Sequence, residues 1–220
     1  MPDVHQRPTA LWDAHDRAWA RHFPCRRERV DRTISARRTL FAPQASYEVS
    51  TCVIRGRSFF RSSSINATGN PAVGVSINSK AGLDLDAAFT LNTSNNGDGL
   101  LVQQNSVMTV FNTPQFSGAQ GFSTVNANNN TRTGVRVLTD AVLTLVNQAR
   151  IISNHNGTTG FVADNGSGVT LVNSTVSGNT AVDIQLTFGA SADVRTTTFG
   201  TYTCDATVLV RGNSTIVCPH

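Results

Sequence analysis

The sequence predicts an all-β fold in which short parallel strands wind into a β-solenoid of about seven coils. Three observations predict it. Charged residues make up 15% of the chain, against about 25% in an average globular domain. Ser, Thr, Asn and Gly are abundant instead, which is the composition of short strands and many turns. Short alternating segments recur every 21 to 26 residues. Their apolar positions also fall into columns, as stacked coils require, because no single coil can bury its apolar face alone.

Two columns carry the period. Phe60, Leu85, Val110, Leu145, Leu171 and Val194 are separated by 25, 25, 35, 26 and 23 residues. Ile77, Val102, Val137, Ala163, Ile184 and Leu209 are separated by 25, 35, 26, 21 and 25. The shared long step marks an insertion of roughly ten residues, with GFSTVNANNNTRT (121–133) read as its body. Insertions in repeat proteins fall on one face, often the binding face. Leucine-rich repeats share the period, but their L-x-x-L-x-L-x-x-N run is absent. Propeller blades need about 40 residues and four strands. A β-sandwich would not align its strands in columns.

The chain divides into two parts. Residues 1–61 hold 12 Arg and 6 Asp or Glu, whereas residues 62–220 hold 5 Arg, 1 Lys and 8 Asp. Residues 1–46 form an Arg-rich N-terminal segment with two open readings. Leu11, His15, Ala18, Trp19, His22 and Phe23 fall at helical spacing after Thr9 as N-cap, which suits a helix capping the solenoid's apolar end. The alternative is a loosely ordered segment. Residues 47–220 form the solenoid domain.

Within it, alternate strand positions point inward. Val75 and Ile77, Leu100 and Val102, Val135 and Val137, Phe161 and Ala163, and Val182 and Ile184 are expected to stack as one inner face. Leu83, Leu85, Val110, Leu143, Leu145, Val169 and Leu171 line the second. Asn95, Asn154 and Asn179 close corresponding turns, where Asn tolerates the left-handed conformation and bonds to the coil above.

Composition excludes several classes. The pI near 9.2 would fit nucleic-acid binding, but the positive charge is confined to the N-terminal segment with no aromatic platform interleaved. No run of about 18 apolar residues predicts a transmembrane helix. The N-terminus carries charge throughout and lacks the apolar core of a signal peptide. Cys25, Cys52, Cys204 and Cys218 include no CxxC pair, so a zinc site is not expected. A turn at Arg211-Gly212-Asn213 would bring Cys204 and Cys218 together as a disulfide, implying an oxidising, extracellular or cell-envelope setting. Two buried thiols are the other reading, and the pairing of Cys25 and Cys52 is open.

The stretch Val169-Thr170-Leu171-Val172-Asn173-Ser174-Thr175-Val176-Ser177-Gly178-Asn179 resembles the coil motif of right-handed parallel β-helix proteins. That superfamily includes pectate lyases, polygalacturonases, bacterial surface proteins and phage tailspikes. The resemblance covers about residues 50–218 and implies a right-handed, pectate-lyase-like parallel β-helix. It does not imply one activity, because one scaffold hosts many. Lyases of this group bind calcium through clustered Asp and abstract a proton with Arg or Lys; its hydrolases place two or three Asp on neighbouring strands.

Here the acidic residues are sparse, and the hydrolase signature of Asn-Thr-Asp, Asp-Asp and Gly-His-Gly is missing. Two outward columns are expected: Ser76, Leu101, Arg136, Val162, Asp183, and Asn78, Gln103, Leu138, Asp164, Gln185. They place Arg136 and Asp164 on adjacent coils, about 4.8 Å apart along the stack. With Asp140 they form the candidate catalytic patch, whose bland reading is a surface ion pair. Asp84 and Asp86 share one strand face and are the candidate metal ligands, although two carboxylates do not complete a calcium site. His155 reads as a turn residue. Thr109, Thr144 and Thr170 form an outward column beside Phe111, Val146 and Val172, and that apolar neighbour fits a contact surface.

The expected function is therefore a non-catalytic extracellular or cell-envelope protein that contacts glycans or another protein through its lateral face, without a cofactor. The alternative is a polysaccharide lyase or glycoside hydrolase with a degenerate or truncated site, calcium-dependent only if a lyase. Three converging charged side chains beside 121–133 would favour the enzyme; a shallow polar or aromatic groove would favour the binding protein.

Overall fold

A computed structural model describes residues 33–35, 38–39, 46–49, 52–61, 64–113, 121–212 and 215–219. The helix expected before residue 24, and Cys25, lie outside them.

Every described strand joins one of three parallel sheets, and no helix occurs among the described residues. The first sheet stacks Thr33–Ser35, Cys52–Arg55, Val73–Ile77, Asp98–Gln103, Val135–Leu138, Thr159–Ala163, Val182–Leu186 and Tyr202–Cys204. The second stacks Arg38–Thr39, Arg57–Arg61, Gly82–Asp86, Val107–Phe111, Val142–Val146, Gly168–Val172, Ser191–Arg195 and Leu209–Arg211. The third stacks Ser46–Val49, Ser64–Ala67, Thr90–Asn92, Ser123–Asn126, Ala149–Ile152, Thr175–Val176 and Thr198–Phe199. The chain visits the sheets in rotation, so each circuit is one coil of a β-helix. Seven circuits are complete, and Tyr202–Cys204 with Leu209–Arg211 begins an eighth. Pairing already begins at Thr33, where Thr33–Ser35 lies on Val53–Arg55.

The inner ladders follow from alternation. In the second sheet the register runs Phe60, Leu85, Val110, Leu145 and Leu171 to Val194, and all six are buried. Burying one such side chain contributes about 1.5–3 kcal/mol. The first sheet carries Val75, Leu100, Val135 and Phe161 in one column, with Ile184 next. The sequence register placed Val182 there; it is two residues out. Leu209 likewise leaves the first sheet and pairs with Ser191 in the second.

The cause of the two-residue slip is a glycine. The registers of Leu100, Val135 and Phe161 set Gly99, Gly134 and Gly160 in one column, and Asp183 takes the next place in it. Those glycines are forced by close approach. A Cβ on Gly134 would strike Ser153 Oγ and sit 2.7 Å from Asn156 Nδ2. Sequence alignment on glycine therefore fails at the coil where Asp183 stands in its place.

The turns are also built by stacking. In the turn from first to second sheet, Ser79-Lys80, Gln104-Asn105, Thr139-Asp140, Asn165-Gly166 and Phe188-Gly189 are left-handed pairs, one above another. In the turn after the third sheet, two side-chain ladders run in opposite senses. The amide N–H groups of Asn70, Asn96, Asn130 and Asn156 each donate to the Oδ1 of the asparagine one coil later, ending at Asn179. Asn128, Asn154 and Ser177 instead donate their amides to the side-chain oxygen one coil earlier. Asn95, Asn154 and Asn179 thus occupy three different positions of this turn, not one corresponding ladder. Each bond supplies an acceptor to a backbone N–H that the parallel strands leave unpaired.

Residues 121–133 are not the insertion. Ser123–Asn126 is an ordinary third-sheet strand between Thr90–Asn92 and Ala149–Ile152, and Asn128 and Asn130 are rungs of the ladders. The extra residues enter earlier, between Phe111 and Ser123, in the turn from second to third sheet. Residues 114–120 of it lie outside the described residues.

Cys204 and Cys218 form a disulfide with Cα atoms 5.4 Å apart. No hairpin brings them together, because Tyr202–Cys204 and Leu209–Arg211 belong to different parallel sheets. Instead residues 215–219 fold back over the last coil, where Ile216 and Cys218 join the core and the Val217 amide donates to the Tyr202 hydroxyl. Cys52 is buried in the core.

Candidate functional site

The proposed catalytic patch does not assemble. Arg136 projects from the first sheet, and Nη1 lies 3.6 Å from Oδ2 of Asp98, one coil earlier rather than later. Asp98 also accepts from Arg132 Nη2 at 2.9 Å and, through Oδ1, from the Thr133 amide at 3.1 Å. Arg132 Nη2 reaches the Ala72 carbonyl as well. Three charged side chains therefore do converge near residue 133. Both arginines point at one buried carboxylate, so the cluster braces adjacent coils and offers no second carboxylate for acid–base work. Asp98 was missed because the sequence places it at a strand start, two residues before the inward column, where no outward pattern marks it.

Asp140 and Asp164 sit at the opposite end of that sheet. Asp140 is an exposed left-handed turn residue. Asp164 follows the strand Thr159–Ala163, and its amide donates to Ser167 Oγ. Asp183 is not on the outward face: it is buried in the glycine column. Its Oδ1 accepts from the amide and the side chain of Asn179, and its Oδ2 from the amides of Gly200 and Thr201. Burial pushes its carboxyl pKa up, but these four bonds outweigh that and leave it below its ordinary value.

The candidate metal ligands also separate. Asp84 faces outward and pairs with Arg57 at 3.1 Å. Asp86 is buried, and its Oδ1 accepts the amides of Ala87 and Thr113. It closes the turn from second to third sheet. Calcium takes six to eight oxygens, and among the described residues no group of three His, Cys, Asp or Glu could hold a metal ion. These two residues do not fit that cation. His155 adopts φ 55° in the turn after the third sheet, as a turn residue does.

What the structure offers instead is the outer face of the second sheet. Its middle outward column runs Phe59, Asp84, Thr109, Thr144, Thr170, Asp193 and Arg211 by direct register. Exposed Val107 and Val142 flank it on one side, and Phe111 and Val146 on the other. The Phe59 and Phe111 rings lie 6.1 Å apart. Beyond them a shallow depression of about 440 Å³ opens between Val146, Val172, Asn147, Asn173, Asp193 and Arg195. The Arg195 guanidinium forks onto Asp193 at 2.6 and 2.8 Å. The sequence displayed the Thr and apolar columns of this face, but the depression depends on how turn residues 147 and 173 stand clear of the sheet.

No described helix is long and apolar enough to cross a membrane. No family model matches this chain, and no curated protein and no solved structure matches it.

Proposed function

We propose that this chain is a non-catalytic β-helix protein of the extracellular space or cell envelope, contacting a glycan or another protein through the outer face of its second sheet. The observation that carries this reading is the shallow groove at Val146, Val172, Asp193 and Arg195, continuous with a flat Thr and Val face. Flat aliphatic and hydroxyl surface with aromatic rings at one end suits sugar faces and protein surfaces alike. Its two outward aspartates each carry an arginine, Asp84 with Arg57 and Asp193 with Arg195. The Cys204–Cys218 disulfide is consistent with an oxidising compartment.

One observation favours an enzyme: Arg132, Arg136 and Asp98 converge as a lyase's charged residues would. Incubation with acidic polysaccharides, with and without calcium, separates the readings. No ultraviolet signal from unsaturated product, together with retention on immobilised glycan or protein that Val146→Arg abolishes, is expected. Turnover lost in Arg136→Ala would overturn the proposal.

A further inference from the structure

The middle outward column of the second sheet is nearly a palindrome. It reads Asp84, Thr109, Thr144, Thr170, Asp193, with Thr144 at its centre. Each terminal aspartate carries its own arginine: Arg57 on Asp84, and Arg195 on Asp193. A surface that reads the same from both ends can meet a copy of itself about a two-fold axis, which is how most homodimers form.

We infer that the occupant of this face is a second copy of the chain, docked antiparallel with Thr144 on the two-fold axis. The inference rests on reading this face as the contact surface. With the axis along the strands, coil order reverses and each outward column meets itself. Thr109 then faces the partner's Thr170, the Arg57–Asp84 pair lies over the partner's Asp193–Arg195 pair, and Phe59 lies over the partner's Arg211.

The flanking column supplies shape. Phe111 stands one coil before Val146, and Val172 one coil after it. The two-fold therefore lays Phe111 over the partner's Val172, at the mouth of the depression of about 440 Å³. That volume admits an aromatic ring, and the symmetry fills both depressions at once. Seven strands from Arg57–Arg61 to Leu209–Arg211 contribute. At about 4.8 Å per strand and five residues of about 3.3 Å, the face covers about 550 Å² per copy. The pair buries about 1,100 Å², which clears the floor of about 1,000 Å² for a specific interface and lies below the standard size of about 1,600 Å².

The register makes the test specific. In Thr144→Cys the two new thiols meet across the axis, so oxidised glutathione joins them as an intermolecular disulfide and is itself reduced to two thiols. Thr109→Cys meets the partner's Thr170 and does not cross-link to itself, but cross-links when mixed with Thr170→Cys. Sedimentation velocity of the full chain is expected to show dimer at micromolar concentration. Thr144→Arg sets two guanidinium groups against each other and is expected to weaken the dimer at least about 100-fold while the monomer keeps its β-sheet circular dichroism. A wild-type chain that stays monomeric, or a Thr109→Cys that cross-links as readily as Thr144→Cys, overturns the inference. If the chain is monomeric while Thr144→Arg still abolishes retention on glycan or another protein, the contact-surface reading stands and only the self-docking fails.

Discussion

Asn179 donates both its backbone and its side-chain N–H to Oδ1 of Asp183, at 3.1 and 2.8 Å. In the coils before it, the acceptor for that amide is another asparagine one coil later. No such asparagine follows Asn179, because only Gly200 and Thr201 separate Phe199 from the next strand at Tyr202. Asp183, standing in the glycine column, fills the vacated space with a carboxylate and ends the ladder.

Removing that carboxylate leaves the amides of Asn179, Gly200 and Thr201 without acceptors. Asp183→Ala is expected to cost about 2–4 kcal/mol in urea unfolding. Its carboxyl pKa is lowered on folding, so its contribution is complete above the unfolded value of about 4 and disappears as pH falls through the folded one. Wild-type stability should therefore decline below about pH 4 more steeply than that of Asp183→Asn. Parallel curves for the two proteins would refute the assignment.

Two glycines separate space from conformation. Gly134→Ala drives a methyl into Ser153 and Asn156 and is expected to cost about 2–3 kcal/mol. Gly69 has φ +77° with nothing within 4 Å of an added Cβ, so Gly69→Ala pays only backbone strain of about 1 kcal/mol. Thermal unfolding of the pair measures the difference directly.

The disulfide closes a loop with a sequence separation of 14, for which chain entropy gives about 3 kcal/mol. Its loss acts locally. In Cys204→Ser, hydrogen exchange is expected to speed up at Tyr202 and Val217 while amides around Leu145 keep their protection. Uniform acceleration along the chain would contradict a local latch.

Asp98 and Arg136 differ as a buried and an exposed partner. Asp98→Ala leaves the Thr133 amide without its acceptor and both arginines without their carboxylate, and is expected to cost about 2–3 kcal/mol. Arg136→Ala leaves Asp98 with Arg132 and is expected to cost under about 1 kcal/mol. Equal losses would mean that Arg136 does more than brace the coil.

The second sheet was readable from Phe60 to Val194 because its five-residue strands alternate without a break and its coils neither gain nor lose residues within them; the three-residue strand Leu209–Arg211 was not, and was read into the first sheet. The first sheet was readable only while glycine marked each strand start; where Asp183 replaced it, the reading slipped two residues. The insertion was misplaced because VNANNN looks like loop but satisfies strand alternation and turn bonding together. Arg136 was matched to Asp164 on Cα geometry, whereas a guanidinium on a long stem chooses its carboxylate by reach. The aspartate it chose was buried, and burial of a single acid is invisible in a pattern of alternation. The face proposed for contact was visible as columns, but its depression is lined in part by turn residues Asn147 and Asn173, which no column records.

The two ladders of the turn after the third sheet bind each coil forward through one set of amides and backward through the other. A coil joined both ways presents matching ends above and below, so it is a unit that can be copied whole. Lengthening by one full circuit before Asp183 would preserve every bond, whereas a part-circuit would orphan both ladders at once. Asp183 then works as a stop mark for the forward ladder: units can be added before it, and the end of that ladder is written in one residue.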